Sequence, residues 1–156
     1  MEAGSFADIA AEFDARVRKI VWCTMTTVDR KGRPRTRVIH PIWQGSTGYI
    51  VTGRHSFKAK HLAQNPYASI SYWSPEHGLV VADVKCEWED DVEKKKAAWA
   101  AFKAEPMPYG YDPEMLGAKP DDPESGLLVL KPWRVELHSL AEVMQNKPAT
   151  VWRAGE

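Results

Sequence analysis

Cysteine is nearly absent from the chain: only Cys23 and Cys86 occur among 156 residues, and neither has a partner at metal-ligand spacing. A zinc site or a disulfide framework therefore has no support, and both cysteines read as small side chains inside apolar segments. No apolar run approaches the roughly 20 residues of a membrane span. Met1 to Asp14 has neither the basic start nor the apolar stretch of a secretory signal, so a cytoplasmic location is expected. Net charge is missing too, with 21 basic and 21 acidic residues. Such a chain has no whole-molecule attraction for nucleic acid or an anionic membrane, and an anionic ligand must be held by a local basic cluster. There is no glycine-rich dinucleotide fingerprint or P-loop, and no Ser-His-Asp or Cys-His signature.

What remains is a chain with the length and apolar content of one globular domain, 1–156, with 44% hydrophobic residues. Phe6, Ile9, Phe13, Val17 and Ile20 recur at spacings of three and four, which predicts an amphipathic helix over 6–20. Short strands rich in β-branched and aromatic residues follow: Ile20 to Val28, Arg35 to Trp43, and Tyr49 to Thr52, joined by tight turns at 29–32 and 45–48. A short helix over 56–64 stops at Asn65-Pro66. Strands at 67–73 and 79–88 come next, then a helix to about Lys103 with Asp90 as its cap and Glu93 completing a capping box. Residues 104–125 carry five prolines and no periodicity, and Tyr109 and Tyr111 suggest that this loop docks. A last strand, 126–140, is broken by Pro132, and 141–156 reads as a flexible tail. Consecutive strands with few helical crossovers predict a mainly β (α+β) fold, a six-stranded antiparallel split β-barrel over 20–140 with peripheral helices.

Two segments concentrate polar chemistry. In Thr52-Gly53-Arg54-His55-Ser56-Phe57-Lys58-Ala59-Lys60-His61 a strand ends and a helix begins. Ser56 is a natural N-cap, and Arg54, Lys58 and Lys60 surround a helix start that favours anions. A solvated, capped surface helix with incidental lysines accounts for the same residues. In Arg33-Pro34-Arg35-Thr36-Arg37-Val38-Ile39-His40, alternation puts Arg33, Arg35 and Arg37 on one face. Three like charges on one face repel unless an anion, an acid or water separates them. His40 stands before Pro41, and a lone histidine is more often structural than catalytic.

The order of these motifs resembles the pyridoxamine 5′-phosphate oxidase-like, FMN-binding split-barrel family. The resemblance spans about residues 9–140. It rests on the Gly-Arg-Pro turn at 32–34 leading into Arg37-Val38-Ile39, on Tyr49-Ile50-Val51-Thr52, and on Ser56-Phe57-Lys58-Ala59 followed by Leu62-Ala63-Gln64-Asn65-Pro66. Gly110-Tyr111-Asp112-Pro113 and the closing Leu128 to Val135 segment also fit. The resemblance implies a flavoprotein in which Arg37, Ser56 and Lys58, with Arg35 and Lys60 nearby, hold the FMN phosphate. The backbone of Val38, Ile39 and His40 and of Val51 and Thr52 would lie against the isoalloxazine ring. It further implies a homodimer with the cofactor at the subunit seam, and an oxidoreductase that passes hydride to or from a small-molecule substrate. Phe57 stands where true pyridoxamine 5′-phosphate oxidases carry a basic residue, and His40-Pro41-Ile42-Trp43 where their strand ends in lysine. Their C-terminal arginine and histidine motif is not evident, so the resemblance implies a flavin site without the vitamin-oxidising activity. A deazaflavin (coenzyme F-420) branch of the same fold is an alternative, with Arg54 and Lys60 serving a longer anionic tail. A non-catalytic flavin-binding protein is another. A nucleic-acid-binding barrel is disfavoured by the neutral charge.

Overall fold

The computed structural model describes residues 1–155. It begins with helix α1, Ala7–Ile20, which buries Ile9, Phe13 and Val17. Each of these side chains contributes about 1.5–3 kcal/mol by leaving water. Val21, with φ of 69°, ends the helix, so the first strand starts later than the β-branched run suggested. The strands are β1 (Cys23–Val28), β2 (Pro34–Ile39), β3 (Ile42–Gln44), β4 (Thr47–Gly53), β5 (Tyr67–Trp73), β6 (Gly78–Glu89), β7 (Ser125–Ser139) and β8 (Thr150–Arg153). Helix α2 is Phe57–Leu62, α3 is Val92–Ala104 and α4 is Leu140–Met144.

The fold is an α+β split barrel, and all its strand pairs are antiparallel. Among the described residues it has eight strands rather than the expected six, in the order β2-β1-β5-β6-β7-β4-β3, with β8 added to β7. The expected single strand from Arg35 to Trp43 is divided at His40-Pro41, because Pro41 has no N–H to carry a ladder through. Its first part pairs with β1 and its second with β4, so one bent segment occupies both ends of the sheet order and curls the sheet into a barrel.

Three further expectations change. Pro132 does not break β7: Asp83 faces Arg134 and Val84 faces Pro132, so Trp133 is bulged out and the strand continues. The cap of α3 is Asp91, whose carboxylate accepts from the Lys94 N–H, and not Asp90. Residues expected as a flexible tail form α4 and β8, the latter pairing with Arg134 to Leu137 of β7. The barrel interior is filled by Met25, Ile50, Ile70, Val80, Ala82, Leu128, Leu130 and Val135. Trp43 sits at its centre, edge-on to Phe13 at 5.0 Å, and donates from Nε1 to the Tyr72 hydroxyl at 2.8 Å. Gly48 is required beside it, since a Cβ there would lie 2.9 Å from the indole.

Candidate functional site

The division of the bent strand leaves a gap in the ladder. In β3 and β4, Ile42 faces Tyr49. Carried backward, that register would set His40 opposite Val51 and Ile39 opposite Thr52. No such pairs form, and among the described residues β2 keeps β1 as its sole sheet neighbour. The free edge of β2 and the backbone of Val51-Thr52 thus bound a split in the barrel wall. A depression of about 270 Å³ lies on the β4 side, lined by Val51, Thr52, Gly53, Tyr111, Pro113 and Leu116 among others.

The 104–125 loop walls this side. Tyr109 is buried, and its hydroxyl accepts the Trp43 backbone N–H at 2.7 Å. His40 Nε2 lies 2.6 Å from the Tyr109 carbonyl. A carbonyl only accepts, so Nε2 carries the proton and Nδ1 is the free lone pair of the neutral ring. The imidazole lies between Trp22 and Tyr111, with centroids at 4.7 and 4.6 Å. Burial lowers its pKa from the ordinary value, and the Tyr109 carbonyl opposes this only in part.

At the other end of the split the pairing of β1 with β2 puts Arg35, Arg37 and Ile39 in register with Thr27, Met25 and Cys23. Thr27 is a fully buried polar side chain in an otherwise apolar series. Arg37 Nη1 donates to Thr27 Oγ1 at 2.8 Å and to the Met25 carbonyl at 3.1 Å. Thr27 Oγ1 also lies 2.9 Å from His61 Nδ1 on α2. We assign the hydroxyl proton to that contact, so that in the neutral ring it is Nε2 of His61 that carries the N–H.

Lys58 approaches the same place from α2. Its pKa is lowered first by burial and then by repulsion from Arg37. Arg37 is shifted down in turn by burial and by Arg35. Among the described residues, no carboxylate reaches ion-pair distance of Arg35, Arg37, Lys58 or Lys60. Half-buried cations that repel one another without an acid between them form a donor set suited to a phosphate or another compact anion.

The sequence-derived candidates divide accordingly. Arg35, Arg37 and Lys58 come together, and Ser56 caps α2 beside them by accepting from the Ala59 N–H at 3.3 Å. Val38, Ile39 and His40 form one rim of the split, and Val51 and Thr52 the other. Lys60 points away from the cluster and sits over the exposed Phe57 ring at 5.4 Å. Arg54 lies apart from this cluster: its guanidinium lies over Trp88 at 4.4 Å and 3.2 Å from Asp90, and its buried Nη1 makes no hydrogen bond among the described residues. Sequence reasoning did not pick out Thr27 or His61 as partners of Arg37. The available signal was a threonine sharing the strand phase of Cys23 and Met25.

Comparisons with known proteins bear on this arrangement. The family model described as pyridoxamine 5′-phosphate oxidase matches residues 9–139. No curated protein matches the sequence. Among solved structures, an FMN-binding, pyridoxamine 5′-phosphate oxidase-related protein from Nostoc punctiforme is similar with a TM-score of 0.66 and 16% identity. The match covers 99% of this chain and 98% of that one. A protein related to general stress protein 26 from Clostridium acetobutylicum gives 0.72 at 12% identity, covering 94% of each chain. HutZ, a heme storage protein from Vibrio cholerae, gives 0.62 at 18% identity, over 80% of this chain and 89% of that one. At these identities the solved structures establish a shared fold.

Proposed function

The chain belongs to the pyridoxamine 5′-phosphate oxidase family, and on that premise we propose that it binds FMN in the split and acts as a flavin-dependent oxidoreductase on a small organic molecule. The observation that carries this reading is the Arg37–Lys58 pair, half-buried and with no carboxylate at ion-pair distance among the described residues, at one end of a gap between two strand edges. The donor set fits the phosphate of FMN. Arg37 can grip two of its oxygens while Thr27 holds the guanidinium in place, and Lys58 adds a point charge. The unpaired edge of β2 offers backbone N–H and C=O groups to the polar rim of the ring, and Val51-Thr52 closes the opposite side.

Bound FMN supplies the hydride chemistry. The rest falls to the protein. Tyr109 and Tyr111 hold the 104–125 loop against the split and limit access of water. His40 stays neutral at physiological pH, and its Nδ1 is the accessible acceptor on that rim. Hydride transfer requires no side-chain acid, and the proposal assigns none. Phe57 stands in place of one basic residue characteristic of the vitamin oxidases, and the His40-Pro41-Ile42-Trp43 segment in place of the strand end that carries another, which favours a different substrate.

The partner we propose is a second copy. The outer face of β2, β1 and β5 carries Thr36, Val38, Thr24, Thr26, Ser69 and Ser71 in adjacent register, with exposed Tyr67 and Trp73 at its corners. It bears no charge, in a chain where 27% of residues are charged. Depletion of charge over a face flanked by exposed aromatics supports its use as an interface. Both cysteines are free and buried, which supports a reducing, cytoplasmic setting.

The test is the visible spectrum of the purified protein, followed by titration of the apo-protein with FMN and riboflavin. FMN should bind at least tenfold tighter, because a charge-assisted phosphate contact contributes about 1.5–3 kcal/mol. Equal affinities would overturn the assignment of the phosphate site. Oxidation of a reduced nicotinamide by the loaded protein separates an enzyme from a storage protein.

A further inference from the structure

The Arg37 guanidinium is held by hydrogen bonds at one corner. Its Nη1 has two N–H bonds, and both are used, one on Thr27 Oγ1 at 2.8 Å and one on the Met25 carbonyl at 3.1 Å. Nε and Nη2 make no hydrogen bond among the described residues. These two atoms share one edge of the planar group, and their N–H bonds form the fork that grips two oxygens of a phosphate. The polarity of Thr27 decides whether that edge stays presented. A hydroxyl has one proton and two lone pairs, so Oγ1 receives Arg37 only while its proton points elsewhere. Rotated toward Nη1, the proton would meet the guanidinium donor to donor. His61 Nδ1, 2.9 Å from Oγ1, is the acceptor that draws it away. Thr27 is fully buried, so bulk water does not take that part.

We propose that His61 is a positioning residue of this site: acting through the Thr27 hydroxyl, it fixes Arg37 so that the Nε–Nη2 edge is offered to a phosphate ester. The inference rests on the reading of Arg37 and Lys58 as the phosphate site, and adds the group that orients it. His61 stands three residues after Lys58, so one face of α2 carries both, while Ala59 and Leu62 are buried in the core. That face delivers a cation to the anion and an acceptor to the hydroxyl behind the arginine. Thr27 is the one side chain that hydrogen-bonds His61 among the described residues. The chain from His61 through Thr27 to Arg37 crosses from α2 to β1 to β2, so docking of the helix sets the aim of an arginine two elements away. A ring that only filled space would serve in either tautomer. A ring that sets the hydroxyl must leave Nδ1 free to accept.

The experiment uses the full chain, stripped of any coenzyme, and has two arms. In the first, heteronuclear NMR of the imidazole nitrogens at about pH 8 should show His61 as the Nε2–H tautomer. In the second, FMN and riboflavin are titrated into wild type, His61→Asn, His61→Phe, Thr27→Val and the Thr27→Val/His61→Phe double variant. Asparagine can place its carbonyl oxygen where Nδ1 stands, and phenylalanine keeps a ring without the acceptor. His61→Phe should weaken FMN about three- to tenfold, and His61→Asn should stay within about twofold of wild type. Riboflavin, which has no phosphate, should bind all five proteins alike. The double variant should bind FMN as Thr27→Val alone does, because the two residues act in series. An Nδ1–H tautomer, an Asn variant as weak as the Phe variant, a loss shared by riboflavin, or additive losses in the double variant would each overturn the role of His61. The tautomer is read on the unaltered chain, so the test stands even where His61→Phe does not fold. Failure of FMN to bind a wild-type protein that shows the Nε2–H tautomer would overturn the phosphate site itself.

Discussion

The Arg37 guanidinium donates to the hydroxyl of Thr27, 2.8 Å away and wholly buried, so the cation of the candidate phosphate site is aimed from inside the barrel wall. The arginine is thereby preorganised, and less of the binding energy goes into ordering it. Replacing Thr27 with Val keeps the shape and removes the aim. FMN affinity should fall about tenfold, and Arg37→Ala and Lys58→Ala should cost about ten- to a hundredfold, while Lys31→Ala stays near wild type. Fluorescence titration at fixed salt measures all four. Equal dissociation constants for wild type, Arg37→Ala and Lys58→Ala would place the phosphate elsewhere.

His40 gives the protein an acid-sensitive element. Burial holds its pKa below the ordinary 6.5 despite the Tyr109 carbonyl. The folded state therefore binds fewer protons than the unfolded state around that pH. Its stabilising effect is complete above about 6.5 and is lost as the pH falls toward the folded value. Urea midpoints should drop between pH 7.5 and 5.5 in the wild type. The drop should be smaller in His40→Gln, which can still donate to Tyr109 and does not titrate. An identical pH profile in the variant would remove His40 from the account.

The Tyr109 hydroxyl is one anchor of the loop. Tyr109→Phe leaves the buried Trp43 N–H without an acceptor, at a cost of about 1–3 kcal/mol. The melting temperature should fall by several degrees, whereas Tyr111→Phe, whose hydroxyl makes no hydrogen bond among the described residues, should change it little. Calorimetry on both variants distinguishes an anchoring hydroxyl from general packing.

The uncharged outer face of β2, β1 and β5 predicts the oligomer. Thr24→Arg introduces a charge at the middle of that face, where Thr24 stands between Val38 and Ser71. Sedimentation equilibrium at micromolar concentration should show a dimer for wild type and a monomer for the variant, with unchanged circular dichroism. A monomeric wild type would refute the dimer.

Much of this architecture was legible in the side-chain pattern. Alternation put Arg35 and Arg37 on one face, and the register with Thr27 and Met25 gives that face its inward direction. Asn65-Pro66 stopped α2, and the β-rich segments with tight turns specified antiparallel pairing. Other features depend on what meets across the barrel. Thr27 is one hydroxyl in a run with Thr24 and Thr26, and only pairing to β2 and packing of α2 bring it to Arg37 and His61. Arg54 looked available because its chain neighbours are polar. Its partners, Trp88 and Asp90, lie on or just past another strand, and Gly126 leaves the space it crosses, since a Cβ there would lie 2.8 Å from Arg54 Cδ. The tail strand β8 was invisible because its four residues form no pattern on their own and gain one only from the free edge of β7.

The His40-Pro41 joint has a mechanical consequence. A barrel closed by a continuous ladder has its radius set by strand number and shear. Here the two ends of the sheet are tethered instead by three virtual bonds between Ile39 and Ile42, each about 3.8 Å long. At the tether the bore cannot widen beyond that reach. Away from it, along β2 toward Pro34, no ladder ties β2 to β4 among the described residues. The split is therefore pinned at the histidine, and a ligand entering beside the arginines meets no β2–β4 ladder hydrogen bond that must break.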